Sequence, residues 1–106
     1  MKVEPEQGIT PHRWAIVEIN NGKDTFRKIL SAWSDEQDSQ NPWRVSSRIV
    51  DETEMNHHYE FTTESGSTYR CLATLEGLTT TTSQIYEAMR SHEDVEVKLL
   101  PYGDPT

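Results

Sequence analysis

Three groups of residues in this 106-residue chain are of types that can do chemistry. The first is Thr63-Glu64-Ser65-Gly66-Ser67, rich in hydroxyls and built around a glycine. Gly66 can take a positive φ at no steric cost, and Ser65 and Ser67 can bond neighbouring backbone. The stretch therefore reads as a hairpin loop. Its functional alternative is a nest of backbone N–H groups for an anion, which the charge of Glu64 opposes. It lacks the Gly-Lys-Ser/Thr of a phosphate-binding loop and the Gly-x-Ser-x-Gly of a nucleophile elbow.

The second group is His57 and His58, with His12 and His92 elsewhere. Neighbours on a strand point to opposite faces, so His57 and His58 do not share one ion; the expectation is a half-buried His57 and a solvated His58. Neither HExxH nor paired CxxC spacing occurs, and no metal site or cofactor is assigned. Cys71 alternates with Tyr69 and Ala73, the pattern of a small buried hydrophobe rather than a nucleophile. No catalytic residue follows. A small metal-dependent or hydrolytic enzyme using His57 or His58 with nearby acids is the alternative functional class, and a self-associating structural domain is another.

The third group is charged. Arg44 and Arg48 share a strand face, and Arg70, His58 and Glu60 fall on strands of the same expected meander. Arginine–glutamate pairing on a wet sheet face accounts for them; a recognition face for a carboxylate or phosphate is the functional alternative. Acids cluster at Asp35, Glu36 and Asp38, at Asp51, Glu52 and Glu54, and at Glu93, Asp94 and Glu96. The first two clusters are the expected partner-binding surface. Such a surface is aimed at a basic protein surface or at a complex that handles nucleic acid, which it would approach with electrostatic steering.

The totals agree with that reading. Eighteen acids against ten bases give a net charge of -8. That disfavours direct contact with nucleic acid or an anionic membrane, both of which need clustered cations. A single cysteine excludes an intramolecular disulfide and fits a reducing compartment. No apolar run approaches the ~20 residues of a membrane span. The first residues carry no apolar signal core, so a cytoplasmic location is expected. Only 33% of residues are hydrophobic, enough for one modest core.

The elements that must position these groups follow from periodicity. Residues 1–11 and 101–106 read as tails around a single domain over 12–100. Trp14-Ala15-Ile16-Val17-Glu18-Ile19 is short and β-branched, a strand. Phe26, Ile29, Leu30 and Trp33 fall at i, i+3, i+4 and i+7, which predicts a helix from Asp24 to Trp33. A strand there would instead make Asn21-Gly22 a hairpin turn. Residues 34–42 form an acidic loop. Trp43–Val50, Glu54–Thr62 and Thr68–Leu75 alternate and predict a three-stranded antiparallel meander with one buried face, Asp51-Glu52-Thr53 being a turn within it. Residues 83–92 predict a second helix and Val95–Leu100 a last strand. The expected fold is α+β, in the order β-α-β-β-β-α-β, with both helices packed on one face of an antiparallel sheet.

Trp43-x-Val45-Ser46-Ser47-x-Ile49 followed by Phe61-Thr62-Thr63-x-Ser65-Gly66-Ser67-x-Tyr69 resembles small uncharacterised proteins of phages and other mobile elements. In those, a tryptophan strand precedes a Ser-Gly-Ser-x-Tyr hairpin. The likeness spans residues 43–72 and brings no catalytic residues with it. It implies a non-enzymatic accessory protein that acts on a protein partner, such as an anti-CRISPR-like inhibitor of a host defence complex.

Overall fold

The run Trp14 to Ile19 has no polar interruption except Glu18, and the fold shows why: its strand is covered on both faces. A computed structural model describes residues 8–33 and 43–102. Strand β2 (Arg13–Asn20) lies inside a sheet, between β3 (Thr25–Ala32) and β8 (Glu96–Leu100); β4 (Trp43–Val45) flanks β3. All three pairings are antiparallel. A second sheet has the order β1 (Gly8–Ile9), β7 (Thr68–Leu72), β6 (His58–Thr63), β5 (Ile49–Glu54). It is antiparallel except where β1 runs parallel to β7.

The two sheets enclose one core, made of Trp14, Ile16 and Ile29 from the β2 sheet with Ile49, Phe61, Tyr69 and Cys71 from the β6 sheet. On the opposite face of the β2 sheet, Val17, Ile19, Leu30 and Val97 form another core. Helix α1 (Thr80–Arg90) covers it with Ile85, Tyr86 and Met89. The protein is thus mainly β, in three layers of sheet, sheet and helix.

The expected α+β fold with two helices is wrong at Asp24–Trp33, where the chain forms strand β3 (Thr25–Ala32). Ile29 pairs with Ile16 and faces the β6 sheet; Leu30 pairs with Ala15 and faces the helix. Both sides of the strand are apolar at that end, so the alternation that betrays a strand is erased and a helical spacing appears by coincidence. The hairpin alternative is the one adopted. Asn21 Oδ1 accepts the N–H groups of Lys23 and Asp24 at 2.9 and 2.8 Å, and Gly22 takes a φ of 93°.

The expected strand Trp43–Val50 is also divided. Trp43–Val45 pairs with β3, whereas Ile49 begins the edge of the other sheet. Buried Ser46 makes the change of sheet: its N–H donates to Ile29 O at 3.0 Å and its Oγ accepts Ile29 N–H at 2.9 Å. One residue thereby completes the β3 ladder with a side chain as the chain departs. The meander is β5-β6-β7, and its first strand runs straight through Asp51-Glu52-Thr53, which were expected to turn. Polar composition marks an edge there rather than a loop.

Helix α1 begins three residues earlier than expected, in the threonine run. Thr79 Oγ1 accepts Thr82 N–H at 3.1 Å and Thr82 Oγ1 accepts Thr79 N–H at 2.8 Å, a reciprocal cap. Outside the span expected as the domain, Gly8–Ile9 pairs with β7 and Tyr102 packs on the inter-sheet core. No helix among the described residues is long and apolar enough to cross a membrane.

Candidate functional site at the β5 edge

Strand β5 has β6 on one side and, among the described residues, no strand on the other. From Val50 to Glu54 every residue is exposed, Val50 at 58%. The ladder slips between Ile49 and Asp51, a bulge that leaves Val50 without a partner on β6. Alternation then sorts its acids. Asp51 and Thr53 oppose Thr62 and Glu60 on the outer face. Glu52 and Glu54 oppose Phe61 and Tyr59, whose rings belong to the inner face.

Glu52 therefore points at the mouth between the sheets, where it meets Arg27 from β3 at 2.5 Å. Tyr102 donates its hydroxyl to the same Glu52 Oε1 at 3.0 Å and also accepts from Arg27. Burial works against the Arg27 charge, but the hydrogen bond to Glu52 and the neighbouring Tyr102 and Glu52 charges outweigh it and hold the guanidinium above its ordinary pKa. Burial, joined by the Glu52 hydrogen bond, pushes the Tyr102 phenol up to about 12. Tyr102 is anchored twice more, with its N–H on Glu76 Oε2 at 2.8 Å and its carbonyl accepting from Tyr59 at 3.0 Å. Beside this cluster lies a groove of ≈ 360 Å³ lined by Glu52, Thr53, Glu54, Tyr59 and Tyr102.

The other expected site residues are dispersed. Arg70 and His58 meet at Glu60, at 3.5 and 3.2 Å, on the outer face of the β6 sheet. Arg44 lies instead over the Trp33 ring at 5.7 Å, and Arg48 over Phe26 at 4.4 Å with Glu64 3.9 Å away. The arginines thus do not form one recognition face. Asp35, Glu36 and Asp38 lie outside the described residues. His57 is exposed in the β5–β6 turn and His58 is the half-buried one, the reverse of the expectation, because the strand starts at His58. A shallow hollow of ≈ 680 Å³ runs past Glu54, Met55, Asn56, His57 and His58. Among the described residues, no three of His, Cys, Asp or Glu are grouped to hold a metal ion.

Cys71 is fully buried, and burial, with the charge of Glu76 adding, pushes its thiol up to about 12. It is a core residue and no nucleophile at neutral pH. The loop Thr63 to Ser67 has its donors committed. Glu64 N–H binds Arg48 O at 2.8 Å, Ser65 N–H binds Ser47 Oγ at 3.1 Å and Gly66 N–H binds Thr63 O at 2.8 Å. An anion nest needs those groups free. The loop is the hairpin turn, and it also fastens the β6 sheet to the crossover at Ser47 and Arg48.

Arg27 and Tyr102 were not among the sequence candidates, since one fell in an expected helix and the other in an expected tail. A signal for Tyr102 exists: Leu100 and Tyr102 continue a two-residue alternation past the end of β8. The chain matches no known protein family, no curated protein and no solved structure.

Proposed function

We propose that this protein is a non-enzymatic binding module that receives an extended basic segment of a protein partner along the open edge of β5. The observation that carries the reading is the coincidence, on one strand, of an edge that no strand covers among the described residues, where Glu52 N–H bonds the Asp51 carboxylate at 3.0 Å, with three exposed acids, Asp51, Glu52 and Glu54. An added strand gains main-chain hydrogen bonds at such an edge, and its side chains are sorted by what lines the two faces. The acids select a cationic segment and disfavour a second copy of this chain, since antiparallel pairing of β5 with itself would set acids opposite acids. The overall charge of -8 supports fast, salt-sensitive association with a basic partner. A reducing, cytoplasmic setting fits the single buried thiol. The narrower role, inhibition of a host defence complex that handles nucleic acid, is supported by the sequence resemblance over residues 43–72.

The test is titration of the isotope-labelled chain with an oligo-lysine peptide, followed by amide NMR. Shifts concentrated at residues 50–55, with affinity falling as salt rises, are expected. Binding that leaves β5 amides unmoved, or no binding at low salt, rejects the proposal.

A further inference from the structure

We infer that the groove inside the β5 edge is a side-chain pocket for arginine, so that the partner strand carries arginine at alternate positions. The inference rests on the β5 reading above and adds to it a register and a residue type.

The argument begins with the two faces of β5. A strand added beside it has the same pleat, so every second side chain of the guest points toward the inter-sheet mouth. There it meets Glu52 and Glu54, which share the inner side with Tyr59 and Phe61. The groove at that place, ≈ 360 Å³, is walled by Glu52, Glu54, Tyr59 and Tyr102. The remaining guest side chains point to the outer side, beside Asp51 and Thr53.

Charge settles which side chain the groove takes. Glu52 and Glu54 bring two negative charges, and Arg27 returns one. Both Arg27 and the Tyr102 hydroxyl reach the same oxygen of Glu52, Oε1. Glu54 has no side-chain hydrogen bond or ion pair with another described residue. One carboxylate at the rim is thus uncompensated. The rings of Tyr59 and Tyr102, 5.3 Å apart between centroids and nearly perpendicular, are held by hydrogen bonds and by the Trp14 and Phe61 rings behind them. The two rings are thus held by contacts within the chain before any guest arrives. A guanidinium suits it better than an ammonium. Its planar fork matches a carboxylate with two bonds, it is more weakly hydrated, and it packs against aromatic rings.

The experiment uses two synthetic twelve-residue peptides of equal composition. One alternates arginine with threonine; the other has six arginines followed by six threonines. A third replaces each arginine of the alternating peptide by lysine. Affinities are measured by calorimetry against the full chain, against Glu54→Gln, and against Glu87→Gln, which removes the same charge on helix α1. The alternating arginine peptide is expected to bind about tenfold tighter than the block peptide and several-fold tighter than the lysine peptide. Glu54→Gln should bring the alternating and block peptides within about twofold of each other, and Glu87→Gln should leave the tenfold gap intact. If both arginine peptides bind equally while β5 amides still shift, the arginine pocket is wrong and the β5 docking strand survives. Equal losses in the two glutamine variants also overturn the pocket. If no peptide binds or moves β5, the docking strand itself fails.

Discussion

Replacing Trp14 by phenylalanine tests the joint between the two sheets. Trp14 is fully buried on β2, and its indole N–H donates across the core to the carbonyl of Leu72, on β7, at 2.7 Å. Its ring lies 5.8 Å from Tyr59, 6.0 Å from Phe61 and 6.4 Å from Tyr102. Phenylalanine keeps an aromatic face there but removes the donor and part of the ring. The lost hydrogen bond leaves a part-buried carbonyl unmatched, about 1–2 kcal/mol. The void is smaller than a Leu→Ala cavity, so at ~24 cal/mol per Å³ it adds about 1 kcal/mol. The sum, about 2–3 kcal/mol, is a large share of the ~5–15 kcal/mol that stabilises a domain of this kind. Trp43, 40% exposed on β4, supplies the control, and Trp43→Phe should change stability by less than about 0.5 kcal/mol. Urea unfolding followed by far-UV circular dichroism reads both without relying on tryptophan emission. A Trp14→Phe chain within 1 kcal/mol of the parent, or no weaker than Trp43→Phe, would refute the role given to the indole.

Two buried serines are expected to respond in opposite directions. Ser46→Ala strips the acceptor from the Ile29 N–H and should cost about 1–2 kcal/mol by urea unfolding, whereas Ser31 Oγ, buried with no hydrogen-bond partner among the described residues, should be replaceable by alanine at no cost or with a gain of up to about 1 kcal/mol. Stability should also fall in alkali. Cys71 binds its proton up to about 12 when folded against an ordinary value of 9.0, so its contribution is complete below pH 9 and is lost as pH rises from 9 toward 12, at no more than about 1.4 kcal/mol per unit. Tyr102 adds a smaller loss of the same sign between 10 and 12. Urea midpoints measured from pH 8 to 11 should decline less steeply in Cys71→Ala than in the parent; equal slopes contradict the buried thiol. Gly66→Ala meets no atom within 4 Å of the new methyl but keeps a φ of 97°, so backbone strain alone should cost roughly 1–2 kcal/mol in thermal melts.

Much of the strand content could be read from the chain, and the errors fall where partners elsewhere in the chain decide the structure. Of the expected strands Glu54–Thr62 and Thr68–Leu75, the parts at His58–Thr62 and Thr68–Leu72 were legible because each has one dry face and one wet face, so Tyr59 and Phe61 alternate with His58, Glu60 and Thr62; Met55–His57 is instead the turn before β6, and Ala73–Leu75 is a 3-10 turn. β3 was not, because the β6 sheet receives Ile29 while helix α1 receives Leu30. A strand wrapped on both sides carries no period of two, and only its partners reveal it. The break at Ser46 was equally silent. Trp43, Val45, Ser47 and Ile49 alternate without a flaw across it, and the side-chain bond that diverts the chain involves Ile29, seventeen residues earlier. The acids of β5 were visible as a cluster. That they line an edge, and that Arg27 and Tyr102 meet one of them, depends on pairings between residues 25 to 75 positions apart.

The placement of β2 has a consequence during synthesis. One side of it can zip to β3 as soon as the Asn21–Asp24 turn has formed, a local event. Its other side must wait for β8, since Ile19 pairs with Val97 and Ile16 with Leu100. At ~5–20 residues per second, a nascent chain spends several seconds with the most apolar ribbon it possesses open along one flank. Until the final strand leaves the ribosome, that flank is a template for any other unfinished chain nearby. Crowded polysomes are then a condition that exposes this flank to pairing with neighbouring chains.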